Sequence, residues 1–315
     1  MINLRYHIVS LVAVFLALTL GIVMGSTVID RAIVDGLRNR VESVNKRANA
    51  TDSTNSQLRS QLDTMHNFAD QARDQLVTNR LKGTPTLVVM VQGVDRKPVE
   101  ALRSALATAD STPAGTLLLT NKFRLDNDND VRALAQVIGA NSASGADAVR
   151  RLVLARLANV LQGISSDTAL LPALVSAGFV GYEPPTPATT TTTLGLNSFP
   201  VAGLRVVLIS GAGAEVGDGL LAVPFAQAMV GPGSPANSRL VAAESGQDTP
   251  GGRGVFVGLL RADGSLAPKL STVDNLESSI GQAAAVLAID DFDIPRTGNY
   301  GVGSGAQRLL PSVEP

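Results

Sequence analysis

The sequence predicts an α/β protein in three parts: a single N-terminal transmembrane helix, a long coiled-coil helix, and a mainly parallel α/β sandwich body. Three observations carry this. An uninterrupted apolar run fills residues 8–29. A charged, proline-free stretch with apolar residues in 3-4 spacing fills residues 30–82. From residue 83 to 315, short continuous apolar runs alternate with helical patterns, as expected where both faces of a sheet are covered.

The first part, residues 1–29, reads IVSLVAVFLALTLGIVMGSTVI over residues 8–29. As a helix it spans about 33 Å, enough to cross a hydrocarbon core of ~30 Å. A buried core helix is disfavoured because the run has no polar stripe. A cleaved signal peptide is the nearer alternative, since Val23-Met24-Gly25 offers short residues at cleavage spacing. The run exceeds the ~7–15 apolar residues of a typical signal peptide, so an uncleaved signal anchor is favoured. The seven-residue head before one span suggests a cytoplasmic N-terminus, a single pass through the cell membrane and an exported body.

The second part, residues 30–82, holds nine Lys or Arg and seven Asp or Glu. Its apolar residues are Val34, Leu37, Val41, Val44, Ala48, Leu58, Leu62, Met65, Ala69, Ala72 and Leu76, with Thr51 and Asn55 in the same phase. Six heptads in one register argue for a coiled-coil stalk with a seam of ~65 Å, which would make the protein a homodimer. Asn55 falls at an a-type position, where a buried Asn fixes register and favours two strands. The competing reading is a long helix folded back on its own domain, since Thr51, Asn55 and the alanines make a weak seam.

In the body, residues 86–91, 116–120, 204–209, 238–242 and 284–289 read as buried strands. Residues 99–109, 130–138, 146–161, 169–177 and 221–230 read as helices between them. A Pro/Thr-rich loop, EPPTPATTTTT at residues 183–193, divides the body into two halves.

Composition excludes several classes. A net charge of −1 leaves no basic footprint for nucleic acid. Zero cysteines remove disulfides, zinc–thiolate sites and thiol catalysis. No tryptophan and 3% aromatics give poor girdles for a transmembrane β-barrel. Histidine catalysis has little to work with, because His7 precedes the span and His66 lies in the coiled coil.

Other candidate chemistry is weak. The run from Ser210 to Gly217, SGAGAEVG, follows a strand like a dinucleotide loop, but Val216 stands where the fingerprint needs glycine, so a glycine-rich turn is expected. Asp126-Asn127-Asp128-Asn129-Asp130 opens like a calcium loop, yet Val131 and Val137 occupy the Gly and Glu positions; a helix cap is expected. Asp290, Asp291 and Asp293 end the run at 284–289, where carboxylates at a strand end could hold a hard cation, though a solvated strand end is the commoner outcome. The tail from Thr297 to Gly305 has four glycines and could lie on a partner, lie on the domain surface, or fray. Soft and borderline transition metals take thiolate, thioether or imidazole donors. The five methionines (Met1, Met24, Met65, Met90, Met229) are scattered, with no Met-x-Met or His-x-His cluster. The residues therefore select no catalytic, cofactor or metal set, and the protein reads as a non-enzyme.

The chain as a whole nonetheless resembles a known family. MINLRYHIVSLVAVFLAL at residues 1–18, Gly21 and Gly25, the coiled coil, Ser271-Thr272-Val273-Asp274-Asn275, residues 284–289 and Gly298-Asn299-Tyr300-Gly301 are similar to the actinobacterial MctB-like copper transport outer-membrane proteins. The resemblance implies an actinobacterial cell-envelope protein with a role in copper efflux or homeostasis, copper as the metal handled, and an outer-membrane association. Some members of that family are linked with a neighbouring membrane protein in envelope assembly and cell division. Two functional classes thus stand: a copper transport component, and a non-enzymatic envelope scaffold that dimerises through its stalk and binds an envelope or division protein. One apolar helix cannot enclose a channel, so a pore would require several copies. An exported carboxylate enzyme using Asp291 is a third, less supported reading.

Overall fold

Strands apolar along their whole length need cover on both faces, and the body supplies it. The computed structural model describes residues 4–185, 194–231, 240–246, 255–293 and 296–312. Two compact units result, Met1–His66 and Asn67–Pro315.

One continuous helix, α1 (Leu4–Val77), contains the apolar and the charged stretches. Within the first unit, Leu4–Gly25 is long and apolar enough to cross a membrane, with a mean hydropathy of 2.6. Val34, Leu37, Val41 and Val44, then Leu58, Leu62 and Met65, lie exposed along the helix. The expected stalk ran to residue 82, but the helix stops at Val77. In the second unit its last turns are docked. Arg73 Nη1 donates to Gln282 Oε1 at 2.7 Å, the Ser279 hydroxyl donates to Asp70, and Val77 is fully buried. Turns then carry Leu81 into the core, its N–H donating to Ala109 O.

The sheet has seven strands: β1 (Pro85–Val91), β2 (Thr112–Leu119), β3 (Val180–Glu183), β4 (Arg205–Gly211), β5 (Leu240–Ser245), β6 (Ser271–Val273) and β7 (Asn299–Tyr300). Their order is β3-β2-β1-β4-β5-β6-β7. Every pairing is parallel except β2 with β3. The register sets Val89 between Leu117 and Leu208, all three fully buried. The helices are α2 (Arg96–Thr108), α3 (Asp128–Val137), α4 (Ala146–Leu161), α5 (Leu170–Ser176), α6 (Ala222–Val230), α7 (Val255–Ala262) and α8 (Ser279–Asp290). Helices α2 and α8 pack together against the sheet, while α4, α6 and α7 form a second layer.

Two expectations change. Residues 284–289 are not a strand but lie inside α8, which Ser278 caps by accepting from Gly281 N at 3.0 Å. Residues 281–289 are all buried, and a helix buried all round carries no polar stripe to betray its period. The Pro/Thr tract does not separate two halves. Chain before it builds β1–β3 and chain after it builds β4–β7, and β1 bonds directly to β4 in one sheet. Glu183 itself closes β3 and accepts from Arg96 Nη2 at 2.6 Å, while residues 186–193 lie outside the described residues. Of the strand expected at 238–242, residues 238 and 239 lie outside them too, and the rest belongs to β5.

Candidate functional site

An open parallel sheet builds ligand sites outside the carboxyl ends of its strands, where strand order reverses. Here it reverses between β1 and β4, and the crevice is occupied by the protein's own loops. Gly93 after β1 and Gly213 after β4 both have left-handed backbone, φ +94° and +86°. A Cβ on Gly93 would collide with Gly213 O, and one on Gly213 would lie 2.6 Å from Gly93 O. Glycine is therefore required twice, once for conformation and once for approach. Glu215 N donates to Gln92 O at 2.8 Å, Asn121 N to Gln92 Oε1 at 3.0 Å, and Asn121 Nδ2 to Glu215 Oε2 at 2.8 Å.

The SGAGAEVG run is thus a glycine-rich turn. No helix opens directly from it, since α6 begins only at Ala222, and Val216 is a core residue at 1% exposure. A dinucleotide site needs the helix N-terminus against the pyrophosphate. Beside the turn, Ser210 Oγ donates to Asp218 Oδ1 at 2.5 Å. Burial pushes the Asp218 carboxyl above its ordinary range, and the Ser210 bond opposes this.

The most highly organised polar cluster is one the sequence reading did not single out by chemistry. Arg261 on α7 and Asp274 after β6 form an ion pair at 2.8 Å, with side chains 4% and 0% exposed. Arg261 also donates to Thr272 Oγ1, Ser304 O and Tyr300 O at 2.9, 2.8 and 2.9 Å. Asp274 accepts from Val302 N at 2.7 Å and Gly303 N at 2.9 Å. Both charges are paired and hydrogen-bonded, as burial demands. A Cβ on Gly301, where φ is +126°, would strike the Asp274 carboxylate. The glycine-rich tail therefore lies on the domain: it forms β7 and wraps the carboxylate. The Ser271–Asn275 and Gly298–Gly301 stretches meet in this clasp. Burial and the charge of Asp291 raise the Tyr300 phenol, against Arg296 and Arg308. An Asp following a short strand, an Arg in the apolar helix VFVGLLRA and a glycine run were the available signals.

The remaining candidates are dispersed. Asp290 and Asp291 sit at a helix end rather than a strand end, 3.8 Å from Arg80 and 3.9 Å from Arg296. Asn127 caps α3, accepting from Asp130 N at 2.9 Å and donating to Asp130 Oδ2 at 2.6 Å. Met90 and Met229 are core residues at 2% exposure, while Met24 and Met65 are exposed, as are His7 and His66. Met1 lies outside the described residues. Among the described residues, no three His, Cys, Asp or Glu side chains gather as a metal-ligand set.

The architecture defines an α/β protein with one candidate membrane-spanning helix and a sheet whose usual ligand crevice is closed. The chain belongs to the family described as "Copper transport outer membrane protein, MctB", whose model matches residues 1–311. It is 28% identical over 331 residues to the "Copper transporter MctB" of Mycobacterium tuberculosis H37Rv, covering 99% of this chain and 100% of that protein. The Mycobacterium leprae protein of the same name is 27% identical over 329 residues, covering 98% and 99%.

Proposed function

We propose that the protein is a membrane-anchored, non-enzymatic component of copper transport or homeostasis in the cell envelope, with its N-terminus cytoplasmic and its body exported. The observation that carries this is the full-length match: relatives named copper transporters align with the apolar helix, the charged helix and the body together. Copper is its cargo. The test is a deletion strain grown in added copper. Higher cell-associated copper, reversed by the full chain, is expected; unchanged copper and unchanged tolerance would refute the transport reading.

A second reading, a scaffold for an envelope or division protein, draws support from the interlocked Gly93 and Gly213 loops and from the exposed apolar row on α1. It treats association as the protein's work. Crosslinking in cells followed by purification should recover a specific envelope protein; recovery of an uncrosslinked monomer would refute it.

A further inference from the structure

We propose that α1 pairs with α1 of a second copy as a parallel, in-register, two-stranded coiled coil between Val34 and Met65. Orientation rests partly on the anchored reading above. The row comprises Val34, Val41, Ala48, Asn55 and Leu62 at a positions and Leu37, Val44, Thr51, Leu58 and Met65 at d positions. Its seven large apolar side chains are each 51–67% exposed on the single helix. That is an apolar stripe of ~47 Å by helix rise, too long for a soluble helix to leave in water.

The structure bounds the stripe. Beyond Met65 the same phase continues through Ala69, Ala72 and Leu76, all half-buried where the helix end docks on α8 through Arg73 and Asp70. The seam open to a partner is therefore shorter than the heptad pattern suggests.

Its chemistry selects a second copy. Valine at a with leucine at d, as in Val34, Leu37 and Val41, favours two strands, and an a-position Asn pairs best with an Asn across the same layer. The flanking residues choose the direction. In a parallel pair each g residue neighbours the following e residue of the other helix. Arg47 then meets Asp52 of the second copy, Arg40 meets Asn45, Thr54 meets Arg59 and Gln61 meets His66. One contact is oppositely charged, occurring twice by symmetry, and none joins two formal like charges. In an antiparallel pair centred on the same row, Arg38 would stand beside Arg59 of the second copy, also twice. A membrane at the Leu4–Gly25 end of both chains imposes the same parallel direction.

The absence of cysteine makes the test clean, because any introduced thiol is the only one. Leu37→Cys, Thr51→Cys, Leu58→Cys and the outward-facing Ser60→Cys are made singly in the full chain and oxidised in membranes. Covalent dimers from the first three but not from Ser60→Cys are expected. Dimers from Thr51→Cys alone would overturn the parallel direction, equal yields from all four would indicate chance collision, and no dimer from any would overturn pairing. Arg47→Asp or Asp52→Arg should weaken dimerisation by roughly two- to thirtyfold, from two exposed pairs per dimer. The double swap should restore it; failure to restore would overturn the register. The readout is independent of copper, so failure here leaves the transport reading standing, and the converse holds.

Discussion

Replacing Asp274 with Asn would remove one charge from a fully buried pair while nearly preserving shape. Asp274 is 0% exposed and accepts three donors, from Arg261, Val302 and Gly303. The change leaves the Arg261 guanidinium, itself 4% exposed, without a counter-charge. It also turns an amide NH2 toward groups that only donate. Breaking a buried pair on one side costs about 3–5 kcal/mol. For a body of this size each kcal/mol lowers the melting temperature by ~2–4 °C, so Asp274→Asn should melt roughly 6–20 °C lower. The assay is thermal unfolding of the full chain in detergent, with proteolysis of the 297–305 tail in parallel. The Asp274→Asn/Arg261→Met double should regain part of the loss, because no orphan charge remains. A shift below ~2 °C with an equally protected tail would refute the clasp, since no buried-pair penalty is that small.

Four further outcomes are expected. Gly93→Ala should destabilise by at least ~1–3 kcal/mol from its backbone conformation alone, before the collision with Gly213 O is counted; unchanged urea unfolding would refute the interlock. Burial holds the Asp218 carboxyl above its unfolded value, so the folded state keeps its proton longer and loses stability as pH rises through that interval. Asp218→Asn should therefore be more stable than the parent near neutral pH, and the gap should close in acid below the unfolded carboxylate range; a gap independent of pH would contradict this. Glu244 is fully buried and accepts from Val255 N and Val257 N at 3.0 and 2.9 Å, so Glu244→Ala should cost ~1–3 kcal/mol per orphaned amide in chemical denaturation. Arg73→Ala should speed amide hydrogen exchange in residues 67–77, leaving residues 34–65 unchanged; uniform rates would show that the helix end is not held by Arg73.

The fold class was legible because continuous apolar runs have one economical use, a sheet covered on both faces. The runs at 86–91 and 204–209 became β1 and β4 on that ground. The same logic misled at 284–289, where a helix buried by α2, the sheet and the end of α1 presents the identical pattern. Ser278 was the overlooked signal, a capping residue ahead of the run. Strands β6 and β7, of three and two residues, are too short to show any period. The antiparallel β3, four residues long, is likewise too short to show one. At the candidate site, Val216 breaks the nucleotide-loop pattern in the sequence and packs into the core in the structure. The reason the crevice is shut was not legible, because Gly93 and Gly213 stand far apart in the chain and meet only through the β1–β4 pairing. Arg261 and Asp274 look like surface charges until the tail returns to cover them.

That return has a consequence for how the protein is made. Asp274 accepts from an amide 28 residues further on, and Arg261 donates to the Ser304 carbonyl 43 residues on. Both members of the pair are synthesised before the backbone that completes their hydrogen bonds. Until residues 300–304 fold back, the Arg261–Asp274 pair at this edge of the sheet lacks the backbone groups that complete its hydrogen bonds. Closure of this edge is thereby tied to a segment made after the residues it covers.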